Sequence, residues 1–209
     1  MSRFNMPDDR QQQEVYNAER MVKWETYQGE IANPEYSYWG KTKYSTQEGF
    51  ETLEDCWTYL NHIMNSAWFK KRYPRTYRNC ASPKKTKPVR IGDGKVGSGD
   101  GGLRVVAHSG RGAYGGSREI GLTKWARQEH VLLHELAHTI NFNENVGPNK
   151  YNQIHGWQFC AIYLTLIRYG MCKEARNELR QQFKNYNVKY LRPTGKNVIP
   201  GDVPERWAA

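Results

Sequence analysis

An α+β fold, with a small mixed or antiparallel sheet packed on helices, is what this sequence predicts, and three observations predict it. Apolar residues recur at steps of three and four over several windows of helical length. Three short β-type runs, KPVRIGDG, GLRVVAHSG and SREIGLT, follow one another between glycine-dense turns in the middle of the chain. At 209 residues the chain is long enough to bury one proper core, so one domain with extensions is expected rather than two.

The elements follow in order. Residues 8–24 open with acidic capping residues and carry Val15, Ala18 and Val22 at helical spacing, which predicts a first helix. The aromatic stretch after it is punctuated by Gly29, Pro34 and Gly40 and reads as loop or short strand pieces. Over residues 47–64, Phe50, Leu53, Trp57, Leu60 and Met64 line one face of a second helix, with Thr46 as the expected cap. SAWFKKRYP then reads as a short helix stopped by Pro74. Ten glycines between Gly92 and Gly116 suggest hairpin loops, because no GK[ST] follows for a phosphate loop and Asp93 and Asp100 are too few for a calcium cage. Residues 124–141 resume helical periodicity, residues 142–153 carry turn chemistry, and helices over 155–169 and 172–185 complete the fold.

Composition narrows the function classes. No run of about 18 apolar residues is present to span a bilayer, and the opening MSRFNMPDDRQQQ lacks the apolar core of a secretion signal, so a cytoplasmic protein is expected. Cys56, Cys80, Cys160 and Cys172 form no CxxC pair, which argues for buried free thiols over a disulfide framework or a thiolate zinc site. The net charge of +10 is unevenly spread. Residues 69–90 hold Lys70, Lys71, Arg72, Arg75, Arg78, Lys84, Lys85, Lys87 and Arg90 with no acid between them. Such a segment reads first as a solvated basic face, since charge alone carries little specificity, with a nucleic-acid backbone as the alternative partner.

HELAH, at residues 134–138, is the sharpest motif. Successive helical residues are offset by 100 degrees, so His134 and His138 project from one face, one turn apart, and can converge on one ion. Glu135 is offset around the helix so that it reaches a water on the metal without binding the metal, the geometry of a general base. A catalytic zinc takes three protein ligands and keeps a fourth position open. His155 is the best third ligand, because the spacer rich in Asn, with Gly147 and Pro148, lets the chain reverse. Glu144 is an alternative, and His108 and His130 are weaker ones. Asn141 and Glu144 stand where metzincin spacing needs Gly and His, which excludes that class.

HELAH followed by HGWQF resembles the SprT-like zincin pattern of HExxH followed by HGxxF, with Gly156 and Phe159 in the matching places. More closely, the chain is similar to a metallohydrolase family of actinobacteria and their phages. That similarity runs over roughly residues 11–190, from QQQEVYNAERMV through SAWFKKRYP to the HG-containing helix. Only HELAH and HG are specific within it; the spacer before His155 is longer than usual, and Trp157 stands where proline is frequent. The resemblance implies a zincin-like single domain over residues 11–190, one zinc ion on His134, His138 and His155, and Glu135 as base. Residues 1–10 would then be a flexible N-terminus and residues 191–209 an extended tail.

The expected activity is zinc-dependent hydrolysis of a peptide bond in a protein or peptide substrate, with Glu135 moving the proton from water to the leaving amine. SREIGLT is the expected edge strand for an extended substrate, and Tyr151, Arg127 or His130 the expected oxyanion or supporting donors. The alternative is a nucleic-acid-associated or phage structural protein, in the host cytoplasm or on the virion, whose zinc is structural. SprT-like relatives act on proteins bound to DNA, so the two readings can coexist.

Overall fold

The computed structural model describes residues 9, 11–27, 44–45, 49–81, 88–98, 101–144 and 154–190. Most of the expected flexible N-terminus and all of the C-terminal tail from residue 191 lie outside these residues. The fold is mixed α+β, as expected. Among the described residues, no helix is long and apolar enough to cross a membrane.

Helix α1 spans Gln12–Arg20 and buries Val15 and Ala18, and a 3-10 turn at Trp24–Thr26 follows it. Two short strands, β1 (Tyr44–Ser45) and β2 (Gly49–Phe50), pair antiparallel ahead of α2 (Leu53–Asn65). Helix α2 therefore begins later than periodicity suggested, and the expected cap Thr46 lies outside the described residues. Thr52 is the cap: its hydroxyl accepts from the Asp55 backbone amide at 3.1 Å while the Asp55 carboxylate accepts from the Thr52 amide. Gly49 has a φ of +75°, and the Phe50 amide beside it donates to the Arg127 carbonyl at 2.8 Å, so the strand is locked to the chain just ahead of Glu129.

Pro74 follows the end of one helix, as expected, and also begins another. After α3 (Ala67–Arg72), Pro74 occupies the first position of α4 (Pro74–Cys80), where its missing N–H costs nothing.

Strands β3 (Val89–Gly92), β4 (Lys95–Gly97), β5 (Arg104–Ala107), β6 (Tyr114–Gly115) and β7 (Glu119–Leu122) form one sheet in the order β3-β4-β5-β7-β6. The three sequence runs supply β3, β5 and β7. Only β5 and β7 run parallel, so the sheet is mixed. β7 within SREIGLT is an interior strand, hydrogen-bonded to β5 and β6, and the edge beside the helices is β6.

Helix α5 (Glu129–Glu144) lies under this edge, preceded by a 3-10 turn at Lys124–Ala126 that sequence periodicity had merged into it. It touches β6 and β7 on one side and α2, α4 and α6 (Trp157–Gly170) on the others; α7 (Lys173–Asn185) packs on α6, and α1 on α7. Leu132, Leu133, Leu136 and Ile140 are fully buried, each contributing about 1.5–3 kcal/mol. Walled by strands and helices along its middle, α5 holds His134, Glu135 and His138 away from bulk water, where a polar group left without a partner is costly.

Candidate metal centre

His134, Glu135 and His138 on α5 are 5%, 6% and 7% exposed, and His155, just before α6, is 2% exposed. Two histidines and a glutamate on a merely solvated helix face are thereby excluded. Gly156 caps α6 with extended backbone, which turns His155 back over α5. Phe159, one turn into α6, stacks on His138 at 4.3 Å between ring centroids and meets His134 and His155 edge-on at 4.9 Å each. One aromatic ring thus sets the spacing of three imidazoles.

The three ligand nitrogens converge. His134 Nε2 lies 3.2 Å from His138 Nε2 and 3.2 Å from His155 Nε2, and all three ligand atoms fall within 4.8 Å of one another. Ligands held tetrahedrally at the usual zinc–nitrogen distance stand about 3.3 Å apart, so the set fits a zinc-sized ion.

Carboxylates orient two of the rings. Glu19 Oε1 on α1 lies 2.6 Å from His134 Nδ1, and Asp9 Oδ2 lies 2.5 Å from His155 Nδ1. With Nδ1–H donated outward, each Nε2 presents its lone pair inward. Lone pairs 3.2 Å apart repel unless a proton or a cation lies between them. Burial alone would lower the His134 pKa, but the Glu19 carboxylate overrides it and raises it, so a proton can take that place. Burial and the His134 charge hold His138 well below the ordinary value and lower His155 against the pull of Asp9. One proton cannot serve both short contacts; a divalent cation can.

Around this set the wall is aromatic and acidic. Burial would raise Glu19, yet the His134 imidazole by charge and hydrogen bond, helped by His130 and His155, keeps it below the usual carboxylate range. Tyr163 donates its hydroxyl to the His130 carbonyl at 3.3 Å, and burial beside Glu19 pushes its pKa well up. Burial also pushes Glu135 up to about 7, with the Glu19 charge adding to it and His134 opposing. The Glu135 carboxylate has no hydrogen-bond partner among the described residues. A buried, unpartnered carboxyl poised near neutrality can accept a proton from water and give it up again.

The remaining sequence candidates fall elsewhere. Glu144 is no ligand: its carboxylate accepts from the Thr76 amide at 2.8 Å and hydroxyl at 2.9 Å, capping α4. His108 sits edge-on to Tyr114 at 5.2 Å and is not in the cluster. The Arg127 guanidinium donates to the Glu51 carbonyl at 2.7 Å, facing the start of α2. His130 lies flat on Trp24, 4.5 Å between centroids, with its Nδ1 buried and unpartnered; burial takes its pKa down to about 4. Tyr151, Lys84, Lys85 and Lys87 lie outside the described residues. Lys70, Lys71, Arg75 and Arg78 are exposed on α3 and α4, while Arg72 is half-buried over the Tyr73 ring. The four cysteines are free and buried, as expected.

Sequence reasoning missed the contribution of α1. Gln12, Tyr16 and Glu19, at steps of four and three, make a polar stripe beside the apolar Val15 and Ala18, and that stripe was the available signal. The boundary drawn at residue 11 also leaves out Asp9, whose carboxylate is bonded to His155. Comparison of the chain with protein-family models, curated proteins and solved structures finds no match.

Proposed function

We propose that the chain is a zinc-dependent metallohydrolase of zincin-like, SprT-like fold that cleaves peptide bonds. The observation that carries this reading is the convergence of three buried Nε2 atoms, two of them oriented by carboxylates, beside an unpartnered Glu135. His134, His138 and His155 would hold one ion, leaving a coordination position open. Zinc there supplies a Lewis acid that activates water near neutral pH. Glu135 removes the proton of the attacking water and delivers it to the leaving amine nitrogen.

Strand β6 supports a peptide as substrate. It is the last strand of the sheet, and Gly115 within it lies so close to α5 that a Cβ there would overlap the Glu135 carbonyl and stand 3.0 Å from His138 Cβ. An extended peptide pairing with the outer edge of β6 would lie alongside the strand that packs on α5 at Glu135 and His138.

The test is Glu135→Gln. Zinc content is expected to stay at the wild-type level while hydrolysis of denatured, dye-labelled casein falls about 100-fold or more. Casein cleavage at the wild-type rate in that variant would remove Glu135 from the chemistry. A second reading, a nucleic-acid-associated or phage structural protein with a structural ion, draws on the exposed Lys70, Lys71, Arg75 and Arg78 of α3 and α4. A closed structural site normally has a fourth protein ligand, and the cluster among the described residues has three.

A further inference from the structure

A carbonyl oxygen under attack by water gains charge and needs a hydrogen-bond donor. Several donors lie around the centre. One Arg127 nitrogen donates to the Glu51 carbonyl and Tyr163 donates to the His130 carbonyl, while His130 lies flat against the Trp24 ring with its Nδ1 unpartnered among the described residues.

Tyr16 is not committed. Its ring stacks on His134 with centroids 5.9 Å apart and planes 22° apart, and it meets His155 edge-on at 5.1 Å. Gln12 Nε2 donates to the Tyr16 hydroxyl oxygen at 3.3 Å, which fills an acceptor position and leaves the O–H hydrogen with no acceptor among the described residues. The phenol is half-buried, its ring against both imidazoles.

We propose that Tyr16 is a catalytic residue of this centre, its hydroxyl donating a hydrogen bond to the substrate carbonyl oxygen as that oxygen becomes an oxyanion. The inference rests on the hydrolase reading. Water oxygen bonds to the carbonyl carbon, the C=O π pair moves onto oxygen, and Glu135 takes one water proton. The Tyr16 hydroxyl bonds to the oxyanion and keeps its own proton. The oxyanion pair then returns, the C–N bond breaks, and the proton on Glu135 passes to the amine, so peptide and water become acid and amine. Tyr16 lies one turn before Glu19, so the helix that orients His134 also presents the donor.

Tyr16→Phe isolates the hydroxyl, because the ring contacts with His134 and His155 are kept. Zinc content is expected to equal that of the wild type, kcat on dye-labelled casein to fall about 100-fold or more, and KM to stay within about twofold. Calorimetry with an N-phosphoryl dipeptide, whose tetrahedral oxygens imitate the oxyanion, reads the same contact without turnover: affinity is expected to fall about tenfold or more. Wild-type kcat and wild-type affinity in the variant would overturn the inference, as would loss of zinc, which would make the role structural. If wild type cleaves casein, Glu135→Gln does not, and Tyr16→Phe does, only the inference fails. A wild type that neither cleaves casein nor binds the phosphoryl dipeptide would sink the hydrolase reading and this inference together.

Discussion

Removing the Glu19 carboxylate should weaken metal binding by an amount the structure sets. Glu19 Oε1 accepts the His134 Nδ1 proton at 2.6 Å, in a site where the His134 side chain is 7% exposed and the Glu19 side chain 14%. In Glu19→Ala that N–H loses its acceptor where water scarcely reaches, which costs about 1–3 kcal/mol. At about 1.4 kcal/mol per tenfold, the ion should bind about 5- to 150-fold more weakly, in the range seen when a carboxylate behind a ligand histidine is lost. Glu19→Gln keeps an acceptor oxygen without the charge, so it should fall between Glu19→Ala and the wild type. Competition with a chromophoric zinc chelator at pH 7 measures the three affinities. The thermal stabilisation on loading zinc should shrink in the same order, because only the folded state binds. Affinity in a folded Glu19→Ala within twofold of the wild type would refute the claim that this carboxylate fixes the His134 ring.

Three further outcomes are expected. In Gly115→Ala the new Cβ runs into the Glu135 carbonyl, so β6 must lift off α5; a cost of about 1–3 kcal/mol should lower Tm by roughly 3–10 °C in a thermal melt, and an unchanged Tm would mean the strand is not held there. His130 titrates near 4 when folded and near 6.5 when unfolded, so between those values the unfolded chain binds the extra proton and stability must rise with pH. In denaturant titrations of metal-free protein from pH 4 to 7, His130→Phe should remove a contribution of about 3 kcal/mol from that slope, and an unaltered slope would contradict the burial of this ring. If Lys70, Lys71, Arg75 and Arg78 contact phosphates, duplex DNA affinity should fall roughly 100-fold between 50 and 200 mM salt, and less steeply in Lys70→Glu/Lys71→Glu; equal slopes in a filter-binding assay would reject that surface.

The ligand helix was legible because its signal is local. The one-turn spacing of His134 and His138 and the leucines around them are written within a few residues, whereas most of the stretch read as turn chemistry, residues 145–153, lies outside the described residues. The three β-type runs were legible for the same reason, but their order was not: β7 pairs with β5 in parallel and with β6 on its other side, and nothing in SREIGLT records which strand lies at the edge. The carboxylates behind the histidines were illegible for a different reason. Glu19 and His134 are 115 positions apart, and Asp9 and His155 are 146 apart, so no spacing rule links them. At Pro74 the stop was read and the start was not, and the cap of α2 was placed at Thr46 and not at Thr52, because the same chemistry serves both sides of a helix boundary. Proline both stops one helix and starts the next, and Thr46 and Thr52 are equally good caps until β2 is seen to occupy the residues between them.

Metal analysis of purified wild-type protein and His155→Ala, each loaded with zinc and dialysed, tests the central claim most directly. One zinc per chain is expected in the wild type, with most of it lost in the variant, because the three nitrogens around His134 act as one set. A wild type that retains no zinc, or a His155→Ala that retains it fully, would contradict the account.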